Sequence, residues 1–140
     1  MVVNVTTFSQ PGGTSLTWVK YTKAFGDFTD AGLFKELALY TLPIGGVIHA
    51  IKTKHSVAFS GGGAAVATVE VGLAGTTNKY SPAYNVFQAV AATTFQYTVV
   101  QMSENHTATT AITVTLRSDV ALNTLAAGSV TIWLLISTAV

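Results

Sequence analysis

The sequence has no cysteine and few charged residues, and each of these absences excludes a class of function. Without cysteine the chain forms no disulfide, thiolate metal site or cysteine nucleophile. Charged side chains make up 9% of the residues, whereas about 25% is usual in a soluble domain. The net charge of +1 argues against electrostatic binding of nucleic acid, which requires a basic patch or stripe.

Long hydrophobic runs are also missing. The most apolar stretch, 130–140, is about half of the roughly 20 residues that span a bilayer, so we interpret it as a buried strand. The N-terminal residues carry neither the basic region nor the apolar run of a secretory leader. From these features we expect neither a membrane nor nucleic acid as a partner.

Threonine, serine, alanine and glycine take the place of the missing charges. A neutral surface of this kind loses its water at little cost, which suits permanent contacts with other proteins. The length of 140 residues corresponds to about one domain. We predict an N-terminal arm or loop over 1–15, which is polar and contains Gln10-Pro11-Gly12-Gly13. The rest, 16–140, is predicted to be a single β-sandwich domain.

Alternation of residue types with a period of two marks the strands. The clearest strand is 47–59, in which Lys52 and Lys54 lie on one side. The other side carries Val47, His49, Ile51, Thr53, His55, Val57 and Phe59. A glycine loop then leads to the alternating segment 65–73. We predict that the two strands form a hairpin in which Lys54 lies opposite Glu70.

The remaining segments complete an all-β chain. Further strands are predicted over 16–21, 36–42, 94–101, 110–117 and 128–138. A short helical turn is predicted around 29–34, with Thr29 or Asp30 as its N-cap, and 74–92 are predicted to be irregular. Roughly seven to eight antiparallel strands, with short helical turns at most, indicate a β-sandwich. A jelly-roll-like arrangement is favoured over an immunoglobulin-like one, because strands and connections are long and the last strand is typical of a central one.

Histidines and carboxylates are the candidates for chemistry. His49 and His55, six residues apart on one strand, would lie about 20 Å apart, which is too far for one metal ion. We interpret them as packed, hydrogen-bonded histidines of the core or of a subunit contact, with a metal or pH-switch role as the alternative. His106 belongs to no metal-ligand spacing. Asp27 and Asp30 share one loop, where solvated or capping carboxylates are favoured over a glycosidase pair.

Sequence motifs of catalysis and cofactor binding are missing. There is no nucleophile elbow, phosphate-binding loop or zinc-protease motif. We therefore predict no catalytic, cofactor-binding or metal-binding residue, expect no cofactor, and predict that the chain is not an enzyme. Tyr80 and Tyr84 could contribute to a carbohydrate-binding groove, although such aromatics more often anchor a core or an interface. Trp18 and Trp133 lie in mid-strand, which favours packing.

Four strand-and-turn segments carry a resemblance to a known class of proteins. They are Leu42-Pro43-Ile44-Gly45-Gly46-Val47-Ile48, Ala58-Phe59-Ser60-Gly61-Gly62-Gly63, Val69-Glu70-Val71-Gly72-Leu73-Ala74-Gly75 and Leu125-Ala126-Ala127-Gly128-Ser129-Val130-Thr131-Ile132-Trp133. With them the chain resembles small virion proteins of tailed bacteriophages, in the class of capsid decoration (cement) proteins. The resemblance implies a β-sandwich, a homo-oligomer that is often a trimer, and binding to the major capsid protein. No functional residue carries over from it.

Three functions follow from these observations. The first is a structural virion protein, a decoration protein on the capsid surface, assembled in the host cytoplasm, that stabilises the head by binding the major capsid protein. The alternative is a carbohydrate- or receptor-binding module of a phage tail or fibre. The weakest is a hydrolase with its site near Asp27 and Asp30. The sequence patterns do not separate a head from a tail location.

Overall fold

The computed structural model describes the backbone of residues 3–9, 15–87, 95–98 and 108–137, with side chains for 16–87 and 108–137. Within these ranges the chain forms nine strands and two short 3₁₀ helices, Phe25–Phe28 and Leu122–Thr124. The strands are β1 Val3–Ser9, β2 Ser15–Ala24, β3 Phe34–Leu42, β4 Val47–Gly61, β5 Ala67–Leu73, β6 Thr76–Asn85, β7 Phe95–Thr98, β8 Thr110–Ser118 and β9 Leu125–Ser137.

The strands form two antiparallel sheets. The five-stranded sheet has the order β1-β2-β9-β4-β7 and the four-stranded sheet the order β3-β8-β5-β6. Apart from the edge strand β1, each sheet contributes four strands, and their order is that of a jelly roll built from two Greek keys. The predicted all-β, jelly-roll-like sandwich is thus confirmed, and the last strand, β9, is central to its sheet.

The core lies between the two sheets. Inward-facing residues alternate with outward-facing ones along each strand, as in Val69 and Val71 of β5 or Leu134 and Ile136 of β9. Burying one such side chain contributes about 1.5–3 kcal/mol. Tyr21 also points inward, and its burial, with a smaller contribution from Tyr40, raises the pKa of its phenol to about 12.

Strand β1 lies in the segment that the sequence predicts as an arm or loop, 1–15. Val3–Ser9 pair in antiparallel register with β2, from Val3 opposite Tyr21 to Ser9 opposite Ser15. Only one side of the backbone of this edge strand is paired, and few apolar residues make its free side less prone to pair with another chain. This extra strand raises the count to nine. The division into an arm and a sandwich domain stays a prediction, and Gln10-Pro11-Gly12-Gly13 lies outside the described residues.

The predicted hairpin of β4 and β5 is wrong. β4 pairs with β7 and β9, whereas β5 pairs with β6 and β8 in the opposite sheet. The loop between them begins with Gly61, Gly62 and Gly63, whose φ angles are 124°, 60° and 78°. These conformations are open to glycine and strained for other residues, and they turn the chain from one sheet to the other.

The predicted pairing of Lys54 with Glu70 is wrong for the same reason. In the four-stranded sheet, Arg117 Nε donates to Glu70 Oε1, and Thr77 Oγ1 donates to the same oxygen at 3.0 Å. Lys54 lies in the other sheet, opposite Thr131 of β9. The charge pair that the local pattern predicted is therefore replaced by one that joins β5 to β8.

Two other local predictions are corrected. The helical turn begins earlier than predicted, at Phe25, so its N-cap is Ala24 and not Thr29 or Asp30. The N–H of Ala24 donates to Asp27 Oδ2 at 2.8 Å. The segment 74–92, predicted to be irregular, contains strand β6. Its Pro82 is tolerated because β6 is an edge strand, where one side of the backbone needs no partner.

Irregularities in the pairing of β4 with β9 change which residues of β4 face the core. Ile48 pairs with Ile136 and Ala50 with Leu135, so that His49 is an extra residue between them. Further irregularities lie between His55 and Gly61. The inward side of the strand therefore carries Ile48, Ile51, Thr53, His55 and Phe59. The predicted common face fails for Val47, His49 and Val57, because one extra residue shifts the alternation.

Close packing of β9 against β4 makes a specific demand on Gly128. Its φ angle is 146°, and a Cβ atom there would collide with the ring of Phe59. We expect Gly128→Ala to lower the free energy of unfolding by about 2–3 kcal/mol, through backbone strain and overpacking. Gly26→Ala is the control: apart from its two chain neighbours and the backbone of its own helical turn, no atom lies within 4 Å of the added carbon, and we expect a change within about 0.5 kcal/mol. Urea denaturation measures both, and equal effects would contradict the assignment.

Candidate interaction surfaces

The carboxylates proposed for hydrolysis take part in local hydrogen bonds of one connection. Asp27 accepts the N–H of Ala24, as described above. Asp30 Oδ1 accepts the N–H of Gly32 at 2.7 Å, and its Oδ2 lies 3.6 Å from Lys35 Nζ. Both carboxylates thus shape the turn between β2 and β3 as capping and turn residues do. Nothing in this arrangement favours a catalytic pair.

The two histidines lie in different environments. His55 is fully buried between the sheets, where its Nδ1 lies 2.8 Å from Tyr84 Oη. His49 is half-buried on the outer side of the five-stranded sheet, and its Nε2 lies 2.7 Å from Ser137 Oγ. One belongs to the core and the other to the surface of the sheet. Residues 16–87 and 108–137 contain no group of three potential metal ligands, and His106 lies outside them.

Tyr80 and Tyr84 do not form a surface groove. Their exposed fractions are 1% and 7%, so both belong to the core. A carbohydrate stacks on the exposed face of an aromatic ring, and these rings offer none. In the described part of the chain, no helix is both long and apolar enough to cross a membrane.

The outer side of the four-stranded sheet carries a neutral polar network. Arg117 joins Glu70 and Thr77, and its guanidinium carbon lies 4.9 Å from the centre of the Phe34 ring. Glu70 is almost fully buried in this network. The hydroxyl of Thr115, opposite Glu70, is buried with no partner among the described residues. Paired charges of this kind hold strands β5, β6 and β8 together and leave little net charge.

The five-stranded sheet has a different charge pattern. Its five strands contain no aspartate or glutamate, but they contain four lysines: Lys20, Lys23, Lys52 and Lys54. Lys52 and Lys54 lie on the outer side of β4, as predicted, since they alternate with buried Ile51, Thr53 and His55. The strand order adds Lys20 of β2, which lies across β9 from Lys52.

Two tryptophans lie among these lysines. Trp133 of β9 is opposite both Lys20 and Lys52, whose Nζ atoms lie 5.8 and 5.3 Å from the centre of its ring. Lys52 Nζ also lies 4.6 Å from the ring centre of Trp18. Cation–π contacts of this kind contribute about 0.5–1 kcal/mol at exposed sites.

We call this surface the lysine–tryptophan face, and it comprises Trp18, Lys20, Lys52, Lys54 and Trp133. All five side chains are partly exposed. Among the described residues, no carboxylate forms an ion pair with its three lysines. Mid-strand tryptophans predict packing, but these two pack against lysines on the outside of the sheet and not in the core.

Exposed apolar side chains gather at one end of the sandwich. Ser118 brings two of them together, because its N–H donates to Leu33 O and its hydroxyl to Val66 O. Phe34 is next to Leu33 in the chain. Phe87 is next to Val86, whose N–H donates to the carbonyl oxygen of Ala67, the residue after Val66. We call this set the apolar end: Leu33, Phe34, Val66 and Phe87. Ile44, the most exposed large apolar residue of the described part at 63%, lies between β3 and β4 at the opposite end.

Among solved structures, the fold is shared with chains from two phage capsids. One is a chain of the cyanophage Pam1 capsid asymmetric unit, 17% identical, with a TM-score of 0.65. The other is a chain of the capsid of Ralstonia phage GP4, 16% identical, with a TM-score of 0.55. Each alignment covers 94% of this chain and 90% of the other. No protein-family model and no curated protein matches the chain.

The loop that carries the chain between the sheets is held by Asp119. Its carboxylate accepts the N–H groups of Ala65 and Val66 at 3.1 Å, and these hydrogen bonds lower the pKa of Asp119 below its ordinary value of 3.8. A carboxyl whose pKa is lower in the folded state stabilises the fold above its unfolded pKa. That contribution is lost as the pH falls through the folded pKa.

We therefore expect Asp119→Asn to lower the melting temperature at neutral pH and to have a smaller effect under acidic conditions. Calorimetry of both proteins from neutral pH to below the ordinary aspartate range measures the difference. A difference in melting temperature that stays constant over the whole pH range would show that the ionised carboxylate is not what holds the loop.

Proposed function

We propose that the chain is a structural protein of a phage virion, and specifically a decoration (cement) protein that binds the major capsid protein at the capsid surface. The observation that carries the proposal is the jelly-roll match, along nearly the whole chain, to chains of two phage capsids. Sequence identity at this level establishes the fold alone, so the function rests on what the surfaces add to it.

The size of the matching chains favours an accessory subunit. Since the alignments cover 94% of this chain and 90% of each neighbour, those chains are about as long as this one. The match therefore extends over nearly the whole of each neighbouring chain, and not over a domain inserted in a larger shell protein. This supports a decoration role over that of the shell-forming protein.

The residues on which the two alternative functions depend do not form the sites that those functions require. Asp27 and Asp30 are occupied in turns, which disfavours the hydrolase, and we propose that the protein is not an enzyme and needs no cofactor. Jelly rolls also occur in lectins, but Tyr80 and Tyr84 are buried, so a carbohydrate-binding module of a tail or fibre lacks its expected platform.

A homotrimer would suit this role. Contacts from several subunits at once let individually weak interfaces act together, because each later contact forms at a high effective concentration. The apolar end offers exposed apolar side chains for the contact between copies, since exposed apolar patches mark protein–protein contacts. We propose that assembly takes place in the host cytoplasm, where the subunit adds to the capsid surface.

Reconstruction of the native particle by electron cryomicroscopy tests the proposed location. We expect density for the sandwich on the outside of the capsid shell, in contact with the major capsid protein. Density in the tail or in a fibre would contradict the decoration role while retaining a virion role. Absence of the chain from purified particles, measured by mass spectrometry, would contradict both.

The oligomer is tested by size-exclusion chromatography with light scattering. We expect the wild-type protein at micromolar concentration to have three times the mass of the chain. The double variant Phe34→Ser/Val66→Ser should shift to the monomer mass, because two apolar contacts of the interface are lost. Ile44→Ser is the control, since it removes an apolar side chain of greater exposure at the opposite end. A monomeric wild type would contradict the trimer, and loss of the trimer in the control would contradict the assigned interface.

A further inference from the structure

We infer that the lysine–tryptophan face is the docking surface for a partner protein that presents carboxylates. Only the identity of that partner, the capsid shell, rests on the function proposed above. The surface itself is defined by the order of strands β2, β9 and β4, which places Lys20, Lys52 and Lys54 around Trp133.

Charge segregation is the first argument. The chain has seven basic and six acidic residues in all, yet the five-stranded sheet contains four lysines and no carboxylate. A chain that is nearly neutral overall thus presents one sheet of a single sign. Such a surface steers an oppositely charged partner and repels one of like charge.

The second argument comes from the tryptophan rings. Their contacts favour a protein as the ligand over a sugar or a nucleic acid. Both ligands use aromatic side chains by stacking on a free ring face. Here Lys52 Nζ lies over both rings, and Lys20 Nζ lies over that of Trp133. The rings serve to hold the ammonium groups in place, and what the face presents outward is a set of fixed cations.

A second copy of the chain does not fit this face. Pairing of two such faces about a two-fold axis would bring like charges together. A head-to-tail contact would need available carboxylates elsewhere on the chain, but four of the five in the described part are already bonded: Asp27, Asp30, Glu70 and Asp119. Of the described carboxylates this leaves Glu36, which does not offset three lysines. The occupant is therefore a different protein with an acidic surface.

The chain carries its own reporter for a direct test. Its two tryptophans both belong to the face, so their fluorescence responds to a ligand that binds there. We propose titration of the full-length protein with poly-L-glutamate, and separately with oligothymidylate of equal charge. We expect poly-L-glutamate to change the fluorescence at lower concentration, and its apparent affinity to fall between about 0.05 M and 0.3 M salt as screening increases.

Two double variants, each of which removes two positive charges, show whether binding depends on the position of the lysines. Lys52→Gln/Lys54→Gln removes two charges from the face, and Lys35→Gln/Lys79→Gln removes two from the other sheet. We expect the first to weaken poly-L-glutamate binding about tenfold and the second to leave it within about twofold. Thermal unfolding checks that both variants are folded. Equal weakening by both variants, or tighter binding of oligothymidylate than of poly-L-glutamate, would overturn the inference.

A second measurement separates this inference from the proposed function. The same three proteins are sedimented with capsid shells that have been stripped of the chain. Binding of the wild type and of the Lys35→Gln/Lys79→Gln variant, with loss in Lys52→Gln/Lys54→Gln, supports both proposals. Equal binding of all three contradicts the docking surface and leaves the decoration role intact. No binding of the wild type, together with a positive poly-L-glutamate titration, contradicts the decoration role and supports an acidic partner of another kind.

Discussion

Strand β9 lies between β2 and β4, and its backbone is hydrogen-bonded on both sides along most of its length. Its alternation fixes the two faces of the five-stranded sheet. Val130, Ile132, Leu134 and Ile136 enter the core, whereas Trp133 lies on the outside between two lysines. A shift of one residue would exchange these sets, so the same register that closes the core also defines the lysine–tryptophan face.

Much of the fold follows from local pattern. Period-two alternation locates most strands and the all-β class, because each strand must have a core side. The pairing of β4 and β5 could not be predicted, since two alternating strands around a glycine loop fit a hairpin and a crossover equally well. The choice depends on Asp119, which holds the loop from 53 residues away in the sequence at Val66, and on the pairing of β5 with β8.

The surfaces show the same division between local and non-local information. Lys52 and Lys54 lie on one side of their strand, as a two-residue spacing dictates. Lys20 and Trp133 join them only through the order of strands, which no window of sequence contains. The position of His49 on the outer side of the sheet could not be predicted either. A β-bulge adds one residue to the strand, and no sequence pattern distinguishes that residue from regular alternation.

The few charged residues are distributed unequally between the two sheets. The described carboxylates of the loops bind backbone N–H groups, and Glu70 binds Arg117, so most acidic charge is used within the fold. Lys20, Lys52 and Lys54 form no ion pair with a described carboxylate. Like charge disfavours contact between two lysine–tryptophan faces, while the apolar end carries no such restriction. Under the proposed function, the two surfaces take different partners, copies of the chain at the apolar end and an acidic protein at the sheet. The proposed role needs that separation, because a subunit that bound its own docking face would block its attachment to the particle.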